Sequence, residues 1–297
     1  MYKSKLRKLM LGTTGSLVVA GMFVGACGSD STVTATQTSQ PTAMATMAHS
    51  GTAAPSAAAS SAQLSTETPA ANLRAVLTAQ LQEHVYLAAT ATGAALEGRT
   101  DDYANAVKAL DTNTVDLSNS IASVYGADAG KTFQDLWRKH IGFFVDYTTG
   151  KATKDDAKVA KAKSDLDGYR ADFGAFISSA NPNLPKQAVM DELTPHVASL
   201  EAVIDAQATK SPDQYSLLRT AAAHMPMTAN VLAGGIAKQF PDKVSGNVDG
   251  GGSALRSLLT AQLQEHVYLA ATATGAALEG RTDDYANAVK ALDTNTV

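Results

Sequence analysis

Histidines recur along this chain at a fixed interval. His84, His140 and His196 are equally spaced, and His224 follows after half of that interval. Imidazole binds zinc, copper, iron and nickel, so several imidazoles at one depth of a fold are candidate metal ligands. Whether these side chains meet depends on the elements that carry them.

The segments around these histidines have the periodicity of helices. Around His84, the apolar positions 77, 81, 88, 91 and 95 follow steps of three and four, which is typical of one helix face. The histidine interval of 56 also relates Leu81, Trp137 and Leu193, and it relates the two Ala-Thr-Lys turns at 152–154 and 208–210. The sequence therefore predicts an all-α domain over residues 73–244. The predicted domain is a six-helix bundle that consists of three helical hairpins at 73–126, 128–180 and 186–240.

Folding each hairpin about its turn, near residues 98, 154 or 210, predicts which residues lie level with the histidines. The matching positions on the returning helices are Thr112, Gly168 and His224. We therefore expect one layer of four histidines, with two carboxylates beside it that orient the rings. The predicted metal ligands are His84, His140, His196 and His224, and the predicted carboxylates are Asp111 and Asp167.

A buried layer of imidazoles needs partners, because each unsatisfied group costs about 1 to 3 kcal/mol. Three interpretations stay open: a transition metal such as copper, zinc or iron, a hydrogen-bonded polar core layer, or another ligand such as haem. The segments "HMPM" at 224–227 and "MATMAH" at 44–49 combine thioether and imidazole, which favours Cu(I). Methionine is also an ordinary filler of helical cores.

Features typical of enzymes are absent from the sequence. It contains no His-Glu-x-x-His zinc motif and no Glu-x-x-His pair of the ferritin type. No serine lies in a nucleophile-elbow context, and the glycine-rich 249–253 segment follows no predicted strand. The aromatic face around Trp137 and Phe144 indicates core packing or an apolar ligand pocket. We therefore favour a binding protein over an enzyme.

The segment 1–26 is typical of a secretory signal peptide. Basic residues precede an apolar run over 9–24, and the segment ends just before Cys27, the only cysteine. This ending resembles the lipobox of bacterial lipoproteins, which implies a diacylated Cys27 that holds the protein on the extracytoplasmic face of the cell membrane. An uncleaved membrane anchor is the alternative.

The segment 27–72 is predicted to be a disordered tether, because most of its residues are Ser, Thr, Ala or Pro. The net charge of −4 offers no excess of basic side chains for phosphate, so we expect no nucleic acid as a partner. The expected partner is membrane lipid, through the acylated Cys27.

A second, longer repeat relates the end of the chain to the start of the domain. Residues 255–297 match 73–115 except at Ser257 and Leu258, and a glycine-rich linker is predicted at 245–254. A partial copy cannot build a core alone. We expect that the gene continues, or that 255–297 docks on the first domain or on another molecule, as a protein partner or by self-association.

Several sequence segments resemble those of a known family, among them "LQEHVYLAATATGAALEGR", "LWRKHIGFFVDYTTG" and "IAKQFPDK". The segment 73–244 resembles a family of exported bacterial helical domains, often found in tandem, whose function is largely uncharacterised. Some relatives carry a copper amine oxidase label, but the Asn-Tyr-Asp/Glu motif that supplies the quinone of that enzyme is absent here. The resemblance implies a tandem helical domain and no particular chemistry.

Overall fold

The computed structural model describes residues 65–296, which form eight α-helices and no strand. The all-α prediction is confirmed. The helices are α1 Pro69–Leu96, α2 Thr100–Tyr125, α3 Ala127–Thr153, α4 Asp156–Ala180, α5 Lys186–Ala208, α6 Gln214–Gln239, α7 Gly251–Leu278 and α8 Thr282–Asn295. The predicted signal peptide, Cys27 and "MATMAH" lie outside the described residues.

Helix α1 is the most enclosed of the helices. It packs against α2, α3, α5, α6 and α7, whereas α4 packs mainly against its chain neighbours α3 and α5. Each of the pairs α1–α2, α3–α4, α5–α6 and α7–α8 is joined by a short turn and packs along its length. The core between them is built from aliphatic and aromatic side chains of every helix.

The turns inside three of these pairs share one backbone feature, at positions related by the histidine interval. Gly98, Lys154 and Lys210 have φ of 72°, 56° and 53°, which is left-handed. A residue of this kind ends a helix because its amide bonds back to the last turn. Gly126, with φ of 93°, follows the last residue of α2. At the other end, α2 begins at Thr100, and Arg99 precedes it without a side-chain cap.

The tether predicted at 27–72 and the linker predicted at 245–254 both end earlier than expected. Helix α1 starts at Pro69, Thr68 accepts a hydrogen bond from the Ala71 amide, and Ala71 is fully buried. The last residues of the predicted tether therefore belong to the fold. At the other segment, α7 already begins at Gly251. A Cβ on Gly252 would collide with the Ser65 carbonyl oxygen, so this glycine permits close packing of the backbone.

The partial repeat, α7 and α8, docks on α1 and α6. Tyr268 stacks on Tyr86 with 4.3 Å between ring centroids, and the Thr78 and Ser257 hydroxyls hydrogen-bond at 2.7 Å. Arg219 pairs with the nearly buried Glu265 at 2.7 Å. The face of α7 that matches the core face of α1 is left outside. Over residues 65–296, no helix is both long and apolar enough to cross a membrane.

Candidate metal centre

Three helices bring three histidines together in the core. His84 on α1, His140 on α3 and His196 on α5 each offer a ring nitrogen, and these nitrogens lie within 4.8 Å of one another. The residues are only 1%, 2% and 6% exposed. The closest pair is His84 Nε2 and His140 Nε2, at 3.2 Å. The three rings therefore form one buried cluster, which we call the histidine cluster.

The hydrogen bonds of this cluster run in one direction. The Trp137 indole can only donate, and its Nε1 lies 3.3 Å from His84 Nδ1, which must therefore accept. A neutral His84 then carries its proton on Nε2, and this N–H donates a hydrogen bond to His140 Nε2. It follows that His140 carries its own proton on Nδ1. These assignments follow from donor and acceptor chemistry.

The outer nitrogens of the cluster are left without partners. Nδ1 of His140 and Nδ1 of His196 are buried and have no hydrogen-bond partner among the described residues, and neither has the hydroxyl of Tyr169, which stacks on His140 at 4.8 Å. The backbone of Trp137 raises the pKa of His140, but by less than desolvation lowers it. The cluster thus holds more hydrogen-bonding capacity than this part of the protein satisfies.

Burial keeps these imidazoles neutral. Desolvation, together with a smaller effect of one neighbouring histidine, lowers the pKa of His84 to about 3 and that of His196 to about 4. Desolvation likewise places the pKa of His140 well below its usual value, helped by His84 and His196. Neutral imidazole is the form that coordinates a metal, so near pH 7 no proton needs to be displaced from a cationic ring.

The surroundings of the cluster are apolar. Trp137 lies 4.8 Å from His84 and 4.6 Å from His140 between ring centroids, and it stacks on Phe133. A small cavity of about 60 Å³ is lined by His84, His196 and the buried Met225, among others. Met225 thus places a thioether in the wall of the same space.

The structure places His224 outside the cluster. Its Nε2 lies 3.0 Å from the Glu192 carbonyl oxygen and 3.3 Å from Glu192 Oε1. It is near enough to His196 to lower the pKa of that group. With its Nε2 committed to Glu192, His224 belongs to a neighbouring polar pair and not to the group of three.

Asp111 and Asp167 also differ from their predicted positions. Asp111 pairs with Arg138 at 2.8 Å and Asp167 pairs with Arg170 at 2.7 Å, and the two carboxylates are 53% and 67% exposed. Neither contacts the histidines. The reason is that one residue along a helix is a rotation of about 100°, so a small error in the turn position turns a side chain to the surface.

The returning helices place inside the residues that lie one position beyond Thr112, Gly168 and His224. Asn113, Tyr169 and Met225 are 1%, 4% and 2% exposed and are again separated by the histidine interval. Tyr169 was missed by the sequence reasoning, Met225 was noted only as part of the 224–227 segment, and Trp137 was assigned to core packing or an apolar ligand pocket. Their shared interval with Asn113 was the signal that could have found them.

The donor set partly fits a metal ion. Ligands at about 2.0 to 2.1 Å in a tetrahedron lie about 3.3 Å from each other, close to the 3.2 Å between the Nε2 atoms of His84 and His140. The groups that would orient the rings fit less well. A coordinating histidine normally donates its other N–H, whereas Nδ1 of His84 faces the Trp137 donor.

Comparison with known protein families, with curated proteins and with solved structures finds no match for this chain. The resemblance to exported tandem helical domains therefore stays a prediction.

Proposed function

We propose that this protein is a helical binding protein that holds one transition-metal ion on His84, His140 and His196. The observation that supports the proposal is the convergence of three neutral, buried imidazoles whose ring nitrogens lie within 4.8 Å. The imidazole nitrogens of His84 and His140 already have the separation of two ligands. Rotation of the His196 ring brings the third nitrogen to the ion.

The donors favour particular ions. The cluster contains no carboxylate, so it suits the borderline and soft ions that imidazole binds, such as zinc and copper, over magnesium, calcium or manganese. The Met225 thioether in the adjoining cavity adds a soft donor nearby. Because all three ligands would be neutral, no acidic side chain of the cluster would balance the charge of the ion.

Trp137 provides a direct readout, because it is the only tryptophan of the chain. When His84 coordinates through Nε2, its proton moves to Nδ1 and faces the indole N–H, so that hydrogen bond must break. Titration of the purified protein with Zn²⁺, and with Cu⁺ under reducing conditions, should change the indole emission and saturate at one ion per chain. Elemental analysis gives the stoichiometry.

The matched control is His266 on α7. It lies in a Leu-Gln-Glu-His-Val-Tyr segment identical to the one around His84, but its side chain is exposed. His196→Leu should abolish stoichiometric binding, whereas His266→Leu should leave it unchanged. Circular dichroism checks that both variants are folded. Equal metal content in the wild type and in folded His196→Leu would contradict the proposal.

A metal-free polar core layer is the second candidate. The observation in its favour is the one-way hydrogen-bond chain from Trp137 through His84 to His140, which satisfies three ring nitrogens without an ion. In this case the protein would be a structural or adhesive surface module whose avidity rises with the number of domains. Emission from Trp137 would then be unaffected by Zn²⁺ or Cu⁺.

We also propose that the protein is anchored in the membrane by lipid on Cys27 and works on the extracytoplasmic face. The support is the basic and apolar leader that ends at the only cysteine. Partition of the expressed full-length protein into detergent should be lost in Cys27→Ser. Unchanged partition would contradict the lipid anchor.

A further inference from the structure

An apolar cleft runs from the surface to the histidine cluster. It has a volume of about 380 Å³ and lies between α1, α2 and α3. His84 and Leu200 lie at its inner end, and Gly98 and Thr100 lie at the outer end. The walls include Ala88, Ala91 and Ala95 of α1, Val107 and Leu110 of α2, and Ile141, Phe144 and Val145 of α3.

The helices leave this space for two reasons. At the Gly126 end, α2 and α3 are in close contact, because Gly130 lets the Ser118 backbone approach and the Ser118 hydroxyl bonds to the Gly130 carbonyl. Beyond the ion pair of Asp111 with Arg138, the cleft separates them. There α1 presents alanines, which do not fill the gap.

The shape of the cleft selects its ligand. The lining follows α1 from His84 to Gly98, over which an α-helix rises by about 21 Å, so the cleft is elongated. An elongated apolar space fits an extended alkyl chain better than a compact fused ring system. A side opening lies where Val107 and Val145 are 37% and 39% exposed.

The chemistry of the lining selects an uncharged ligand. Among the described residues, no Asp, Glu, Lys or Arg lines the cleft. Apart from His84, the polar side chains of the lining carry hydroxyls and belong to Thr92, Thr100, Tyr103, Thr148 and Thr149. Hydroxyls can bond to a neutral alcohol or ester but cannot neutralise a carboxylate or an amine.

We propose that this cleft binds one unbranched alkyl chain of an uncharged amphiphile, with the chain end towards His84 and the polar head at Thr100 and Tyr103. The site is distinct from the proposed metal site and stands without it, although the two meet at His84. A free long-chain alcohol and an acyl chain of a neutral lipid share this chemistry.

Heavy-atom quenching of Trp137 tests the proposal, because the indole lies 4.8 Å from the His84 ring at the inner end. The full-length protein is titrated with 12-bromododecan-1-ol and with 2-bromododecan-1-ol at concentrations below micelle formation. The first should quench strongly and saturably, and the second weakly. Dodecan-1-ol should reverse the quenching, and dodecanoate should compete about tenfold less well.

Ala95→Phe narrows the cleft and should weaken binding about tenfold. Its matched control is Ala277→Phe, at the identical position of α7, which is also exposed and should change nothing. Vesicles that carry a diacylglycerol with brominated acyl chains distinguish a lipid source, because this lipid has an uncharged hydroxyl head. Quenching that is equal for the two bromoalcohols, or unchanged in Ala95→Phe, would overturn the proposal.

Discussion

At the scale of single residues, the direction of each hydrogen bond determines what the histidine cluster can do. The Trp137 indole fixes the proton of His84 on Nε2, and this proton fixes the tautomer of His140. Without an ion, the cluster is a chain of donors and acceptors that ends on an Nδ1 with no partner among the described residues. An ion on Nε2 reverses the role of His84 Nδ1 and sets it against the indole.

Trp137→Phe separates these two states. The variant leaves His84 Nδ1 buried without a donor and removes part of a packed side chain, so the free energy of unfolding of the metal-free protein should fall by about 2 to 4 kcal/mol. Metal affinity should not fall, because the opposing donor is gone. Urea denaturation followed by circular dichroism gives the first quantity, and calorimetric titration with Zn²⁺ gives the second.

Phe133→Leu is the control for lost packing, because Phe133 stacks on Trp137 but bonds to no histidine. It should cost less stability than Trp137→Phe. A clear loss of metal affinity in Trp137→Phe would mean that the indole supports the bound state, against the donor argument.

The equal spacing of the histidines made part of this centre predictable. It relates His84, His140 and His196 and assigns each to the core face of its helix, and the structure brings these three together. The returning helices were harder, because periodicity does not locate the centre of a turn to within one position. That error put Asp111 inside and left Tyr169 unnoticed.

At the scale of elements, equal sequences reach unequal environments. Leu77, Leu81 and Val85 of α1 are at most 4% exposed, whereas the same residue types on α7, Leu259, Leu263 and Val267, are 47%, 64% and 67% exposed. Both segments are helical, since periodicity and propensity are local. Which face is covered depends on α3 and α5, and no local pattern encodes that.

The three equivalent turns allow a prediction about local backbone cost. Lys154 and Lys210 hold the left-handed conformation that glycine holds at Gly98. A non-glycine residue pays about 1 to 2 kcal/mol there, partly offset by the greater freedom of glycine in the unfolded chain. Lys154→Gly should therefore raise the free energy of unfolding by about 0.5 to 1 kcal/mol, measured by urea denaturation.

Gly98→Ala at the equivalent position should lower that free energy by about 1 kcal/mol, since nothing lies within 4 Å of the added Cβ and only φ opposes it. Stabilisation in both variants, or in neither, would contradict the equivalence of the turns.

At the scale of the whole molecule, an apolar helical core encloses a polar centre. The single cysteine lies outside residues 65–296, so in this part of the chain no disulfide supports the fold and packing must do so. The all-α class was predictable from the helical periodicity of the sequence. Docking of 255–297 on the first domain was one predicted alternative, but the sequence does not show that α1 and α6 receive it, because this depends on contacts such as Tyr268 on Tyr86.

Enclosing three neutral histidines makes the stability of the metal-free protein depend on pH. Burial depresses the folded-state pKa of His84 to about 3 and of His196 to about 4, and it also lowers the pKa of His140. In the unfolded chain these groups titrate near 6.5. The unfolded state therefore binds more protons below pH 6.5, and stability is fully present above that pH.

As the pH falls from 6.5 towards 4, each of the three histidines removes about 1.4 kcal/mol of stability per pH unit. Urea denaturation should show the metal-free protein about 3 to 4 kcal/mol less stable at pH 5.5 than at pH 7.0. His196→Leu should reduce this difference by about a third, whereas His266→Leu should leave it unchanged because that ring is exposed. A difference that is equally large in His196→Leu would show that the acid sensitivity arises outside the histidine cluster.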